Sequence, residues 1–181
     1  EEVARLEEAR AGLVAGAGDS EAALAEAQER LDTLGILSGE VAATGPGVRI
    51  VVSDPGGGVD AAGMLSAVQE LRDAGAEALQ VTGGLGRSVR IVASTAFVDL
   101  PTGEIAVGGV GVTSPYAIVA LGDPSTLATA LGIPGGALSS LEGSGASVSV
   151  NESNDLLVDA LHSATEPSYA RPAVPDDAES G

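Results

Sequence analysis

The sequence contains no cysteine, no lysine and no tryptophan, and its 181 residues include one histidine, one phenylalanine and two tyrosines. Without cysteine there is no disulfide, no thiolate metal site and no cysteine nucleophile. Without lysine there is neither a P-loop nor a Ser-x-x-Lys catalytic pair. With aromatics at 2%, the core must be built from Val, Leu, Ile and Ala. Few platforms remain for stacking a base or a sugar. No run of about 18 apolar residues occurs, the length a membrane-spanning helix needs. No signal-peptide pattern occurs either.

Positive charge is also scarce. Eight arginines face 26 acids, for a net charge of -18. The excess is spread along the chain: -7 over residues 1–40, -8 over 45–161 and -3 over 162–181. Nucleic-acid binding depends on neutralising phosphates, so a nucleic-acid partner is not expected. Anionic lipid headgroups repel the same charge. Arginine as the sole strong cation, beside abundant Ala, Gly and Val, reads as the bias of a GC-rich bacterial genome.

What is present is enough to fold. Hydrophobic residues make up 44% of the chain, above the range of disordered segments. Residues 1–40 read as a helical stalk. Val3, Leu6, Leu13, Ala17, Leu24, Ala27, Leu31 and Leu34 keep spacings of three and four, a heptad seam of the coiled-coil kind. Arg10 and Ser20 interrupt it, and Gly12, Gly16 and Gly18 loosen its middle at about 1 kcal/mol each against alanine. Either two helical pieces or one frayed coiled coil is expected, and Leu24 and Leu31 are candidate contact residues. A single helix packed on its own domain is the alternative. The chain opens on Glu1 inside this pattern, so we expect a longer protein with further sequence before it.

Residues 45–161 read as an α/β domain. Gly45-Pro46-Gly47 is expected to be the turn that opens it. Val48, Ile50 and Val52 alternate as in a strand. Asp60 is placed to cap a helix over residues 61–74, with Met64, Leu65, Val68 and Leu71 on one face and Gly75 as its stop. Short strands follow at 78–81 and 88–92, then irregular β pieces from 97 to 112 and a strand at 116–121. Asp123 and Pro124 start a second helix that Gly132 ends. A helical turn at 135–141 and a strand at 147–150, extended or followed by 156–158, complete the domain. Residues 162–181 read as a disordered acidic tail. This order implies an α+β fold with a ferredoxin-like split β-α-β arrangement, helices on one sheet face.

Three stretches carry a family resemblance. They are Gly45-Pro46-Gly47-Val48 with Asp54, then Glu70-Leu71 through Ala74-Gly75-Ala76-Glu77-Ala78-Leu79, then Pro115-Tyr116-Ala117-Ile118 with Leu121-Gly122-Asp123-Pro124. In this order they resemble the YlxW/YlxX-like bacterial family, domain of unknown function 881, over residues 30–160. The resemblance implies a membrane anchor, then a coiled-coil segment, then this domain on the extracytoplasmic side. It also implies an association with cell division and envelope growth. One departure stands out. The family's Asn-Gly-Gln-Arg-like stretch after the second strand is here Thr82-Gly83-Gly84-Leu85-Gly86-Arg87.

No catalytic centre is legible. Gly56-Gly57-Gly58 before a helix has the look of an anion cradle, but Asp54 and Asp60 flank it. His162 stands without a second imidazole or a nucleophile elbow. The oxygen-rich run Asn151–Asp155 lacks EF-hand spacing and reads as a polar turn. Arg87 and Arg90 are candidate anchors at a protein interface, since arginine concentrates in such hot spots. Tyr116 is the remaining candidate contact, at a strand start. The expectation is a non-enzymatic domain without cofactor or metal. Its partners would be proteins of the envelope or division machinery, with a possible homodimer through the stalk. The alternative is a small-molecule or ion sensor using a cleft between the Gly56–Gly58 and Gly83–Gly86 loops. A cell-wall hydrolase is least favoured, for it needs two close carboxylates in a groove.

Overall fold

The computed structural model describes residues 21–163 and 168–169. Residues 1–20 and most of the expected tail lie outside the described residues. A helix α1 covers 21–38. It is followed by β1 (Ala43–Ser53), α2 (Ala61–Asp73), β2 (Ala78–Thr82), β3 (Ser88–Ile91), β4 (Phe97–Asp99), β5 (Ile105–Val107), β6 (Val110–Val112), β7 (Tyr116–Leu121), α3 (Pro124–Leu131), α4 (Ala137–Gly143) and β8 (Ser147–Val158). The fold is α+β. Five strands form one antiparallel sheet in the order β3-β2-β7-β1-β8, and β4-β5-β6 form a second, smaller one.

Strand alternation decides the two faces of the main sheet. Val48, Ile50 and Val52 of β1, Leu79 and Val81 of β2, and Tyr116, Ile118 and Ala120 of β7 point to one side. There they pack on Met64, Val68 and Leu71 of α2, Leu127 and Leu131 of α3, and Leu141 of α4. All three helices therefore share that face. The opposite face carries a smaller cluster of Ala43, Ala78, Val119, Leu121, Leu156 and Val158, with Ile36 of α1 packed against it.

Caps set the helix ends. Asp60 accepts from Gly63 N and Asp123 from Thr126 N, as the sequence predicts. Gly75, at φ 92°, takes the left-handed position after α2, and Ala76 N donates back to Leu71 O. This is the geometry in which glycine ends a helix. The N-cap of α4, Gly136, has no side chain to offer. Glu70 of α2 supplies the acceptor instead, taking Ala137 N at 2.9 Å.

Three expectations need correction. Gly45-Pro46-Gly47 is not a turn but lies within β1, which begins at Ala43, and the register to β8 shifts between Gly45 and Gly47. Proline lacks the ladder N–H and is tolerated in a sheet at such a bulge. Of the two readings of the last strand, extension holds: residues 147–158 form one continuous strand, because the whole length pairs with the extended β1. The run Asn151–Asp155 is therefore strand, not turn, and successive side chains point to opposite faces. His162, expected at the start of the disordered tail, is half-buried, and its backbone N–H donates to Gly39 O at 2.8 Å.

Candidate functional site

The residues singled out from sequence do not converge. Arg87 is exposed in the β2–β3 connection, its guanidinium donating to Gly111 O at 3.3 Å. Leu24 and Leu31 are exposed on α1. Tyr116 is buried in the core on the helical side of the sheet. Burial, then the nearby charges of Asp54 and Asp99, push its hydroxyl above the usual phenol range. It offers no surface to a partner.

Arg90 also needs correction as an interface anchor: it is buried. It points to the opposite sheet face and donates to Ile36 O at 2.6 Å and Val41 O at 3.3 Å. Desolvation lowers its pKa. The guanidinium thus closes the C-terminal end of α1, where carbonyls lack helical partners and the dipole favours a cation. Gln80 is Arg90's direct cross-strand neighbour. Its side-chain oxygen accepts from Asp159 N at 3.0 Å and Ala160 N at 2.7 Å. One polar pair therefore fastens both arms of the chain to the outer sheet face. Gln80 was missed in the sequence because a lone polar residue in an apolar strand reads as an outward position.

The glycine loops are occupied by the chain itself. The loop after β1 wraps the Asp54 carboxylate, which accepts from Gly58 N and Val59 N at 3.1 and 2.8 Å. Asp99 accepts from Ala61 N at 2.7 Å, so acids already hold the donors an anion would use at the start of α2. A side chain at Gly58 would collide with the Ser144 backbone, and one at Gly84 would meet Ser114 O at 2.7 Å and Pro115 Cδ at 2.8 Å. These glycines are accounted for by close backbone approach.

A different place draws the sequence motifs together. A cavity of about 330 Å³ opens where α1, the β1 bulge, the start of β2, the end of β7 and the start of α3 meet. Its lining includes Gly45, Pro46, Glu77, Ala78, Leu121, Gly122, Asp123 and Pro124. Each of these belongs to one of the three stretches that carry the family resemblance. They are far apart in sequence and are joined by Glu77 N donating to Leu121 O at 2.9 Å and Gly122 N to Pro46 O at 3.0 Å. Ile36, Ala43, Ala78 and Leu121 supply apolar walls, and the acids are Glu77 and Asp123. The volume sits at the small end of ligand pockets, about 300 Å³.

Asp123 is held ionised. Thr126 and then Ser125 hydrogen-bond its carboxylate and lower its pKa. A depressed pKa stabilises the fold above the ordinary carboxylate range, and the contribution is lost as the pH falls through the folded-state value. Asp123→Ala is therefore expected to lower the unfolding temperature at pH 7. The gap to the parent should narrow below about pH 4. Thermal melts across that range check it; a gap constant with pH would refute the charge-assisted cap.

The family described as "Bacterial protein of unknown function (DUF881)" matches residues 30–171. UPF0749 protein Rv1825 of Mycobacterium tuberculosis and UPF0749 protein Mb1856 of Mycobacterium bovis are each 42% identical to the chain over 171 residues, 94% of its length. The chain spans 58% of each of these relatives. A crystal structure of an uncharacterized conserved protein from Mycobacterium tuberculosis is 43% identical. It covers 80% of this chain and 99% of its own, with a TM-score of 0.73. By the family match and these identities, the chain belongs to the bacterial DUF881 family.

Proposed function

We propose that this domain is a non-catalytic protein-interaction module of a membrane-anchored, YlxW/YlxX-like envelope protein. It is carried on the extracytoplasmic side and scaffolds envelope or division components. The observation that carries the reading is the meeting of all three resemblance stretches at one small, acid-rimmed pocket. An apolar floor under Glu77 and Asp123 suits a lysine or arginine side chain of a partner, whose stem is apolar and whose head is cationic. The acidic charge of the chain draws such a partner in. The placement of β7 between β1 and β2, with α2, α3 and α4 on one face, supports reading the main sheet as ferredoxin-like with an added edge strand. Resemblance to the family supports the anchor and the side of the membrane.

The test uses Thr44→Cys, exposed at the pocket rim, in the full-length protein in intact cells; this chain has no cysteine of its own. A membrane-impermeant maleimide is expected to label it. A thiol-to-amine crosslinker is expected to capture a discrete protein, and adding Glu77→Arg should abolish capture while leaving the labelling. Labelling only after lysis sinks the extracytoplasmic placement. Capture that Glu77→Arg leaves unchanged sinks the pocket.

A further inference from the structure

We infer that the free edge of β8 pairs with β8 of a second copy of this chain, antiparallel about Val150, so that two main sheets join into one. The surface is separate from the pocket and from α1, and the inference stands without either.

The edge is long and undefended. β8 runs for 12 residues and pairs with β1 on one side; on its other side no strand follows among the described residues. The opposite edge of the sheet, β3, has 4 residues. Native sheets usually shield a long edge with proline, lysine or a bulge. Ser147–Ser153 holds neither proline nor lysine, and it pairs with β1 without a break. The register shift comes after Ser153, where the pair Gly47–Ser153 gives way to Gly45–Leu156. A bulge bends its strand, so the regular edge is Ser147–Ser153, with Val150 at its middle. Val148 and Val150 pack on the main core yet stay only half-buried. The core is left open along this edge.

The stretch is complementary to itself. Antiparallel pairing about Val150 sets Ser147 opposite Ser153 of the other copy, Val148 opposite Glu152, Ser149 opposite Asn151 and Val150 opposite Val150. The two residues of every pair sit at matching positions of the pleat. Outward N–H groups of one copy therefore meet outward C=O groups of the other, and the helices of both copies share one face of the joined sheet. On the outer face, hydroxyls meet hydroxyls and the Asn151 amide. On the helical face, Val150 covers Val150 and the stem of Glu152 covers Val148. Such cross-strand contacts are the unit of sheet stability.

Charge selects both the register and the occupant. Two copies of a chain with net charge -18 repel one another broadly, so they meet best where acids are fewest. Glu152 is the single charged residue of Ser147–Ser153. Paired about Val150, the two Glu152 carboxylates stand four residues apart along the strands, about 14 Å. That exceeds the Debye length of about 8 Å at physiological salt. Pairing about Asn151 would bring them to about 7 Å, and pairing about Glu152 would set them face to face. Pairing about Ser149 gives up contacts at the Ser147 end. A basic foreign strand finds one acid here, against the two at the pocket, so a second copy fits the edge better.

The test uses the 181-residue chain carrying Leu24→Glu and Leu31→Glu, both exposed on α1, so that self-pairing of that helix adds nothing. Sedimentation equilibrium at high concentration is expected to give twice the 17.6 kDa monomer mass. Ser149→Asp with Asn151→Asp sets like charges opposite one another and should halve that mass. Ser149→Lys with Asn151→Lys should do the same. An equimolar mixture of the two variants should regain the doubled mass, which a misfolded variant would not do. Single cysteines give the register. Val150→Cys should oxidise to a linked dimer, whereas Ser147→Cys, whose copies lie about 20 Å apart, should not. A monomer at every concentration, a doubled mass untouched by the paired aspartates, a mixture that stays monomeric, or linkage at Ser147 equal to that at Val150 overturns the inference.

Discussion

Gly47→Ala is expected to cost about 4 kcal/mol of folding stability, near the top of the range for a single substitution. Gly47 pairs with Leu121 of β7 on one side and Ser153 of β8 on the other, in the middle of the main sheet. A Cβ there would overlap the Ala120 carbonyl oxygen and stand 2.9 Å from the Ala120 carbonyl carbon and from Leu121 Cα. All three are backbone atoms of a neighbouring strand. They have no rotamer to change, so relief requires β1 to move from β7 along its length. Against a typical total of about 5–15 kcal/mol, that loss leaves little. Gly45, two residues earlier, is the control. A Cβ at Gly45 meets nothing within 4 Å, so Gly45→Ala should change stability by at most about 1 kcal/mol and is as able to stabilise as not. Urea unfolding followed by far-UV circular dichroism measures both. If the two variants unfold at the same urea concentration, the close approach of β1 and β7 at the bulge is wrong.

That contrast shows which parts of the fold the sequence carries openly. Alternation at Val48, Ile50 and Val52 marks a strand because one face is buried and the other is not. Asp60 and Asp123 mark helix starts because a cap is a local interaction. Gly45-Pro46-Gly47 misleads, since turn and bulge draw on the same residues. What separates them is pairing with Leu121 and Ser153, remote in sequence. The candidate site is hidden for the same reason. Each of the stretches around Pro46, Glu77 and Asp123 is visible alone. That they line one cavity follows from β7 lying between β1 and β2, which is a property of the topology. Arginine offers a further instance. Arg87 and Arg90 look alike in sequence, three residues apart, and strand alternation sends Arg90 under the α1 arm while Arg87 stays in solvent.

Arg90→Met is expected to release that arm. The methionine stem replaces the packing of the arginine stem, while both donors to Ile36 O and Val41 O disappear. Hydrogen bonds from a charged group are worth about 1.5–3 kcal/mol, so the loss should be about 2 kcal/mol. For a chain of this size that corresponds to a fall in Tm of about 4–8 °C. The distribution of the effect is the sharper test. Gly39 packs against the Arg90 stem, Val92 and His162, and His162 N donates to Gly39 O. Amide exchange should therefore accelerate first at 36–42 and at 159–162, and much less in β7, which β2 separates from β3 in the sheet. Arg90→Lys keeps the charge but offers a single ammonium in place of a two-pronged fork. It should reach one carbonyl and recover about half of the loss. Arg90 meets carbonyls rather than a carboxylate in a chain rich in acids. Protonating the acids below pH 4 should therefore leave its contribution intact, and the stability gap between parent and Arg90→Met should persist in mild acid. Uniform acceleration of exchange across the sheet, or a gap that closes with acid, would show that Arg90 supports the core at large and does not act as the clasp of α1.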